Sequence, residues 1–234
     1  MFGHGWYYGF DSTYLLVIIG FLLCLAASSG MKRTFAKYSK VRSYSGITGA
    51  ETAQRILHRA GITDVRVEQV AGDLSDHYDP RNKVLRLSGS VYGSNSLAAV
   101  CVAAHECGHA IQHNHNYAPL AIRSAIVPVA NIGSTLAWPL FILGFILNRP
   151  YLLTFGIILF AGAVLFQLVT LPVETNASSR ALAMLSETGI LREEELNGGK
   201  KVLRAAALTY VASLAASILQ LLRLILLSGG RRRD

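Results

Sequence analysis

Residues 151–171 read YLLTFGIILFAGAVLFQLVTL, an apolar run without one Asp, Glu, Lys or Arg. About 20 such residues, wound as a helix, cross the ~30 Å hydrocarbon core of a bilayer. The run therefore points to a membrane-spanning helix. Only Asn148-Arg149-Pro150 separate it from a second apolar run at 125–147, which is enough for a tight hairpin. Two further runs lie at 13–29 and 203–227. The chain of 234 residues is 52% apolar, and these four runs account for much of that content.

The run at 13–29 ends in Ala26-Ala27-Ser28-Ser29, the kind of small-residue end that also closes a secretory signal. A signal peptide begins with positive charge, however, and residues 1–12 carry no Lys or Arg. The cations come afterwards, as Lys32, Arg33, Lys37, Lys40 and Arg42. That order reads as an anchor with its N-terminus outside and the following segment in the cytoplasm. It makes the protein a multi-pass membrane protein with its central domain on the cytoplasmic face. The net charge of +8 belongs to membrane flanks and to Arg231-Arg232-Arg233, so the expected partner is the lipid bilayer and no nucleic acid. Cys24, Cys101 and Cys107 show no paired spacing and read as reduced thiols.

Strict alternation from an outside N-terminus would leave the Arg-rich tail outside, against the positive-inside rule. Thr209, Ser213, Gln220 and Arg223 form a polar stripe on the fourth run, which is read either as a span or as a helix lying in the interface over the site. Three to four membrane-associated helices are expected.

Between the first two runs, Thr48-Gly49-Ala50-Glu51 is a capping box before a short helix ending at Gly61. Residues 65–70 and 83–88 alternate as strands, with Asp79-Pro80-Arg81-Asn82 as a turn, and an Ala-rich helix follows over 96–113. The fold class is an α+β membrane protein, mainly helical, with a small antiparallel sheet packed on that helix. The expected organisation is an N-terminal anchor (1–31), a cytosolic subdomain (32–114), a transmembrane hairpin (115–172) and a C-terminal helical part (173–234).

The Ala-rich helix carries His105-Glu106-Cys107-Gly108-His109. Two His one turn apart project from one helix face and can share a tetrahedral zinc ion, and Glu106 falls beside them as the base for an activated water. Cys107 points away from the His pair and reads as core. A catalytic zinc needs a third protein ligand. His115 stands at the spacing of the long HExxHxxGxxH motif, but Gln112 occupies the place of its turn glycine. Glu174 is the first carboxylate after Glu106, and the hairpin returns it to the motif helix; its position also suits a helix-start carboxylate. Of the two, Glu174 is favoured.

DHYDPRNKVLRLS at 76–88, AAHECGHAIQH at 103–113, NYAPLAIRS at 116–124 and ETNASSRAL at 174–182 together resemble the YugP-like neutral zinc metallopeptidases of bacterial membranes, over nearly the whole chain. The resemblance implies one zinc held gluzincin-fashion by His105, His109 and Glu174, with Glu106 as catalytic base. Related membrane gluzincins place Asp four residues past the ligand Glu; here Ser178 stands there.

For a donor to the developing oxyanion, His113, Tyr117, Asn176 and Arg180 are candidates, with Arg180 preferred because it lies nearly two turns beyond Glu174, and His113 next. The strand formed by Lys83, Val84, Leu85, Arg86, Leu87 and Ser88 is expected to offer an edge to an extended peptide. The expected activity is endopeptidase cleavage of peptides or membrane-protein segments. The alternative is a membrane protein that binds zinc without catalysis. Gly133, Gly144, Gly156 and Gly162 would permit close packing within the chain or in a homo-oligomer, or against a regulatory partner.

Overall fold

The computed structural model describes residues 11–230. Seven helices and three strands follow in the order α1 (Tyr14–Tyr38), α2 (Gly49–Arg59), β1 (Arg66–Val70), β2 (His77–Asp79), β3 (Val84–Ser88), α3 (Gly89–Tyr92), α4 (Leu97–Asn114), α5 (Ala118–Ile146), α6 (Pro150–Glu187) and α7 (Glu193–Gly230). Four of the helices, α1, α5, α6 and α7, are long and apolar enough to cross a membrane. Their outward faces carry bare Leu, Ile and Phe side chains, among them Phe21, Ile132, Ile158 and Ile225, as a bilayer solvent requires and water would not tolerate over so large an area.

The small domain is built by local signals. Thr48 and Glu51 close the capping box on α2, and Gly61 ends the helix at a φ of +71°, a conformation that costs glycine little. Ser96 caps α4 by accepting from the Ala99 N–H. Ile56, Leu85, Leu87, Val100, Leu185 and Ile190 pack into one core between α2, the sheet, α4 and the ends of α6 and α7.

The sheet is mixed, where an antiparallel one was expected. β1 pairs parallel with β3, and β2 pairs antiparallel with it on the other side, giving the order β1-β3-β2. The turn at 79–82 does join antiparallel neighbours, but the earlier of the two is the three-residue His77–Asp79, too short to alternate visibly. β3 is consequently the central strand. Its residues Val84 to Ser88 are paired along one side by β1, and on the other by β2 and by Asp76, whose carboxylate accepts from the Ser88 N–H at 2.8 Å. The expected free substrate edge at Lys83, Val84, Leu85, Arg86, Leu87 and Ser88 therefore does not exist; the outer edge on that side belongs to β2.

Two helices outrun their apolar segments. α1 continues into its basic flank as far as Tyr38, because Phe35 and Tyr38 pack on the domain core. α6 runs unbroken through Pro172 into the small domain, proline's missing N–H being tolerated where neighbouring helices surround the chain.

The polar stripe on α7 left a choice between a span and an interfacial helix. α7 packs antiparallel to α1 along its length: Gly20 meets Ala216, Tyr38 meets Gly198, and Arg223 pairs with Asp11 at 4.0 Å and stacks on the Tyr14 ring at 4.2 Å. A helix paired end to end with α1 shares its path. Part of the polar stripe thus faces neighbouring helices, and Ser217 on the same helix accepts a hydrogen bond from Gln167 at 2.9 Å. α5 and α6 form the second antiparallel pair, with Gly156 under Ala137 and Phe141.

Candidate metal centre

α4 presents its motif to α6, and the contact depends on one missing side chain. A Cβ on Gly108 would fall inside the van der Waals envelope of the Ala177 carbonyl. The backbones therefore touch at that point, and His105, His109 and Glu174 are drawn together around it. Gly108→Ala is expected to part the helices at a cost of about 3 kcal/mol, seen as a lower melting temperature together with weakened zinc binding by titration. A variant with wild-type zinc affinity would show that the close approach is dispensable.

Glu174 is 2% exposed. Its Oε2 lies 3.3 Å from His105 Nε2 and 3.5 Å from His109 Nε2, while Oε1 forms an ion pair with the Arg123 guanidinium at 3.2 Å. The two imidazoles stand edge to face, 4.8 Å between ring centres. One ligand atom from each of the three residues lies within 4.8 Å of the others.

The donor set fits zinc. Two imidazole nitrogens and a carboxylate are the ligands of a gluzincin-type catalytic site, and metal bonds of about 2.0–2.1 Å in a tetrahedron set ligand atoms about 3.3–3.5 Å apart, the spacing seen here between Glu174 and each His. The far ring nitrogens are also held. His109 Nδ1 donates to Gln112 Oε1 at 3.0 Å, and the Gln112 amide in turn donates to the Val173 carbonyl at 2.8 Å and to Asn176 at 3.0 Å. His105 Nδ1 pairs with Ser178 Oγ at 3.2 Å. Ser178 thus gives His105 a neutral partner, and both rings point Nε2 at the centre.

Burial disfavours the imidazolium of His109, but the hydrogen bond with Glu174 and the Glu106 charge outweigh it and raise its pKa above the ordinary value. An entering metal must displace that proton, so affinity rises with pH until the ring is neutral.

Glu106 is 8% exposed and, with His105, Glu174, Asp76 and Tyr210, lines two cavities that meet at the centre. One, about 170 Å³, is walled by Phe35, Val102, Val202, Leu203 and Ala206 and is mainly apolar. The other, about 320 Å³, lies between β2 and α5 and is bordered by His77, Tyr78, Arg123 and Ser124.

Other candidates lie elsewhere. His115 caps the end of α4 and lines a separate cavity with Arg59 and Arg180. Arg180 donates to Asn176 at 2.8 Å and lies over the Tyr117 ring, away from the metal centre. His113 bonds the Tyr78 hydroxyl at 2.9 Å and borders neither of the cavities at the centre. Neither Arg180 nor His113 is therefore placed to meet an oxyanion there. Cys107 is fully buried against the Ala53 carbonyl, and burial pushes the Cys101 thiol up to about 12, so both act as core. Arg123 and Tyr210 reach the centre without having been singled out in the sequence. Each sits on an apolar helix, and only the packing of α5 and α7 around α6 brings them there.

The family described as "putative neutral zinc metallopeptidase" matches residues 13–229. The "Putative membrane protease YugP" of Bacillus subtilis (strain 168) is 50% identical over 212 residues, 91% of this chain and 94% of that protein. No solved structure matches. With nearly its whole length covered by the family, and its His and Glu side chains converging as a zinc site would require, the chain belongs to the neutral zinc metallopeptidase family.

Proposed function

We propose that this chain is a zinc endopeptidase of the cytoplasmic membrane, cutting peptide bonds at the cytoplasmic boundary of the bilayer with Glu106 as general base. The observation that carries the reading is the convergence of His105, His109 and Glu174 beside Glu106 at the meeting of two cavities.

Zinc bound by those three residues would supply Lewis acidity, lowering the pKa of a water from about 15.7 to near 7. Glu106 takes the proton of the attacking water and hands it to the leaving amine. Tyr210, whose side chain borders both cavities, is the group we assign to the developing oxyanion, in place of Arg180 or His113. Arg123 keeps the free oxygen of Glu174 occupied, which holds the carboxylate in one orientation.

The outer edge of β2 borders the polar cavity, so an extended substrate would add to the sheet there. The apolar cavity exceeds the ~150 Å³ that accommodates a benzene-sized group, and would take a Leu or Phe side chain next to the scissile bond. Glu174 lies three residues past the apolar run, about 4.5 Å of helix, which sets the cut at the membrane surface. The antiparallel α1–α7 pair supports four spans, with the first residues of α1 and the last of α7 on the outer side. The cations around Lys32 to Arg42 and Lys200 to Arg204 then keep the positive bias on the cytoplasmic side, while Arg223 is paired with Asp11.

The test is cleavage of an unfolded membrane-protein substrate by detergent-purified protein. One bound zinc, activity abolished by a chelator and restored by zinc, and cuts beside large apolar residues are expected. Zinc binding with no cleavage across a broad substrate panel would instead favour zinc binding without catalysis.

A further inference from the structure

A cavity apart from the metal centre is lined by α1 and α7 alone. The antiparallel register that sets Tyr38 against Gly198 brings Thr34, Lys37 and Tyr38 of α1 opposite Lys201, Arg204 and Leu208 of α7, around a cavity of about 290 Å³. Among the described residues no carboxylate lies within ion-pair distance of Lys37, Lys201 or Arg204; the contact found for Lys37 is the ring of Tyr38, 5.6 Å away. Three cations from two helices thus share one groove without a counter-charge, and Lys32, Arg33, Lys40 and Lys200 add to the field from neighbouring positions.

The groove is polar at one end and apolar at the other. Leu208 is 49% exposed and stands one helical turn from Arg204 in the direction of the apolar run, so charge gives way to hydrocarbon within about 6 Å. A free anion has no use for that floor. A molecule with an anionic head and an apolar tail fills both parts, and basic grooves between membrane helices at the headgroup level suit such lipids. We propose that this groove binds the phosphate of an anionic phospholipid, with an acyl chain lying along Leu208. The adjoining face of the same α7 turns, Val202, Leu203 and Ala206, walls the apolar cavity at the metal centre together with Phe35 of α1. A lipid clamped across α1 and α7 therefore fixes two walls of that cavity. The binding itself does not depend on the peptidase reading.

The test uses delipidated full-length protein in a neutral detergent, titrated with fluorescent long-chain phosphatidylglycerol or phosphatidylcholine. Phosphatidylglycerol is expected to bind about 100-fold more tightly, at about 1 kcal/mol for each of three basic residues. Lys37→Gln, Lys201→Gln and Arg204→Gln combined should erase that preference, while Arg231→Gln, Arg232→Gln and Arg233→Gln, removing equal charge from the tail, should leave it. Leu208→Ser keeps every cation and should weaken the long-chain lipid about tenfold. Equal binding of the two lipids, or equal losses in the groove and tail variants, would overturn the site. Displacement of the lipid by equimolar inorganic phosphate would overturn the lipid assignment in favour of a free phosphate.

Discussion

Glu106→Gln is expected to abolish peptide cleavage while zinc content stays at one ion per chain. The side chain is nearly buried, faces both cavities at the centre and lies outside the three-residue ligand group. Gln preserves its volume and its place on α4, so packing against α6 is undisturbed. What it loses is the capacity to accept a proton, and a positioned general base contributes about 10²–10⁴ in rate. The fall should appear in kcat, with KM nearly unchanged, because the step lost occurs after the substrate is bound. Elemental analysis and single-turnover cleavage on the same preparation check both halves. Activity within tenfold of wild type would remove Glu106 from the chemistry. Joint loss of zinc and activity would make it a support for the site and not its base.

The two helices that carry the candidate ligands were legible from simple signals. HExxH at helical spacing needs only α4 to form, and the long carboxylate-free interval after Glu106 left Glu174 as the residue that a membrane hairpin would carry back. Helix arithmetic also bears on a reading that did not hold. At about 100° per residue, Arg180 is rotated some 120° from Glu174, whereas Ser178 is only about 40° away; Ser178 lies on His105 and Arg180 turns to Asn176 and Tyr117.

Arg123, Tyr210 and the contacts of Gln112 with α6 were beyond such arithmetic. Their roles depend on which helices become neighbours, and an apolar run encodes burial in lipid without naming its partner, since lipid and helix are equally apolar. The same gap hid the pairing of α1 with α7. β2 was missed for another reason: three residues hold too few alternations to register, and the error carried through to the choice of β3 as an edge.

Glu174→Ala is expected to lower zinc affinity by well over 100-fold, beyond the 10–100-fold that follows loss of a residue which only orients a ligand. The carboxylate sits between both imidazoles and Arg123. Without it two nitrogens remain to hold the ion, and the guanidinium, having lost its partner, adds an uncompensated positive charge beside the vacant ligand position. His115→Ala provides the contrast. His115 lies past the end of α4 on another cavity, so its loss should leave affinity within about twofold. Competition with a calibrated chelator measures both variants, and folding is checked through the melting temperature of the metal-free forms, which excludes collapse of the bundle as the cause. The reverse result, zinc retained without Glu174 and lost without His115, would require α4 to unwind beyond Gln112 when metal binds. That would break the hydrogen bonds from Gln112 to Val173 and Asn176, and the hydrogen bond that orients His109 would go with them.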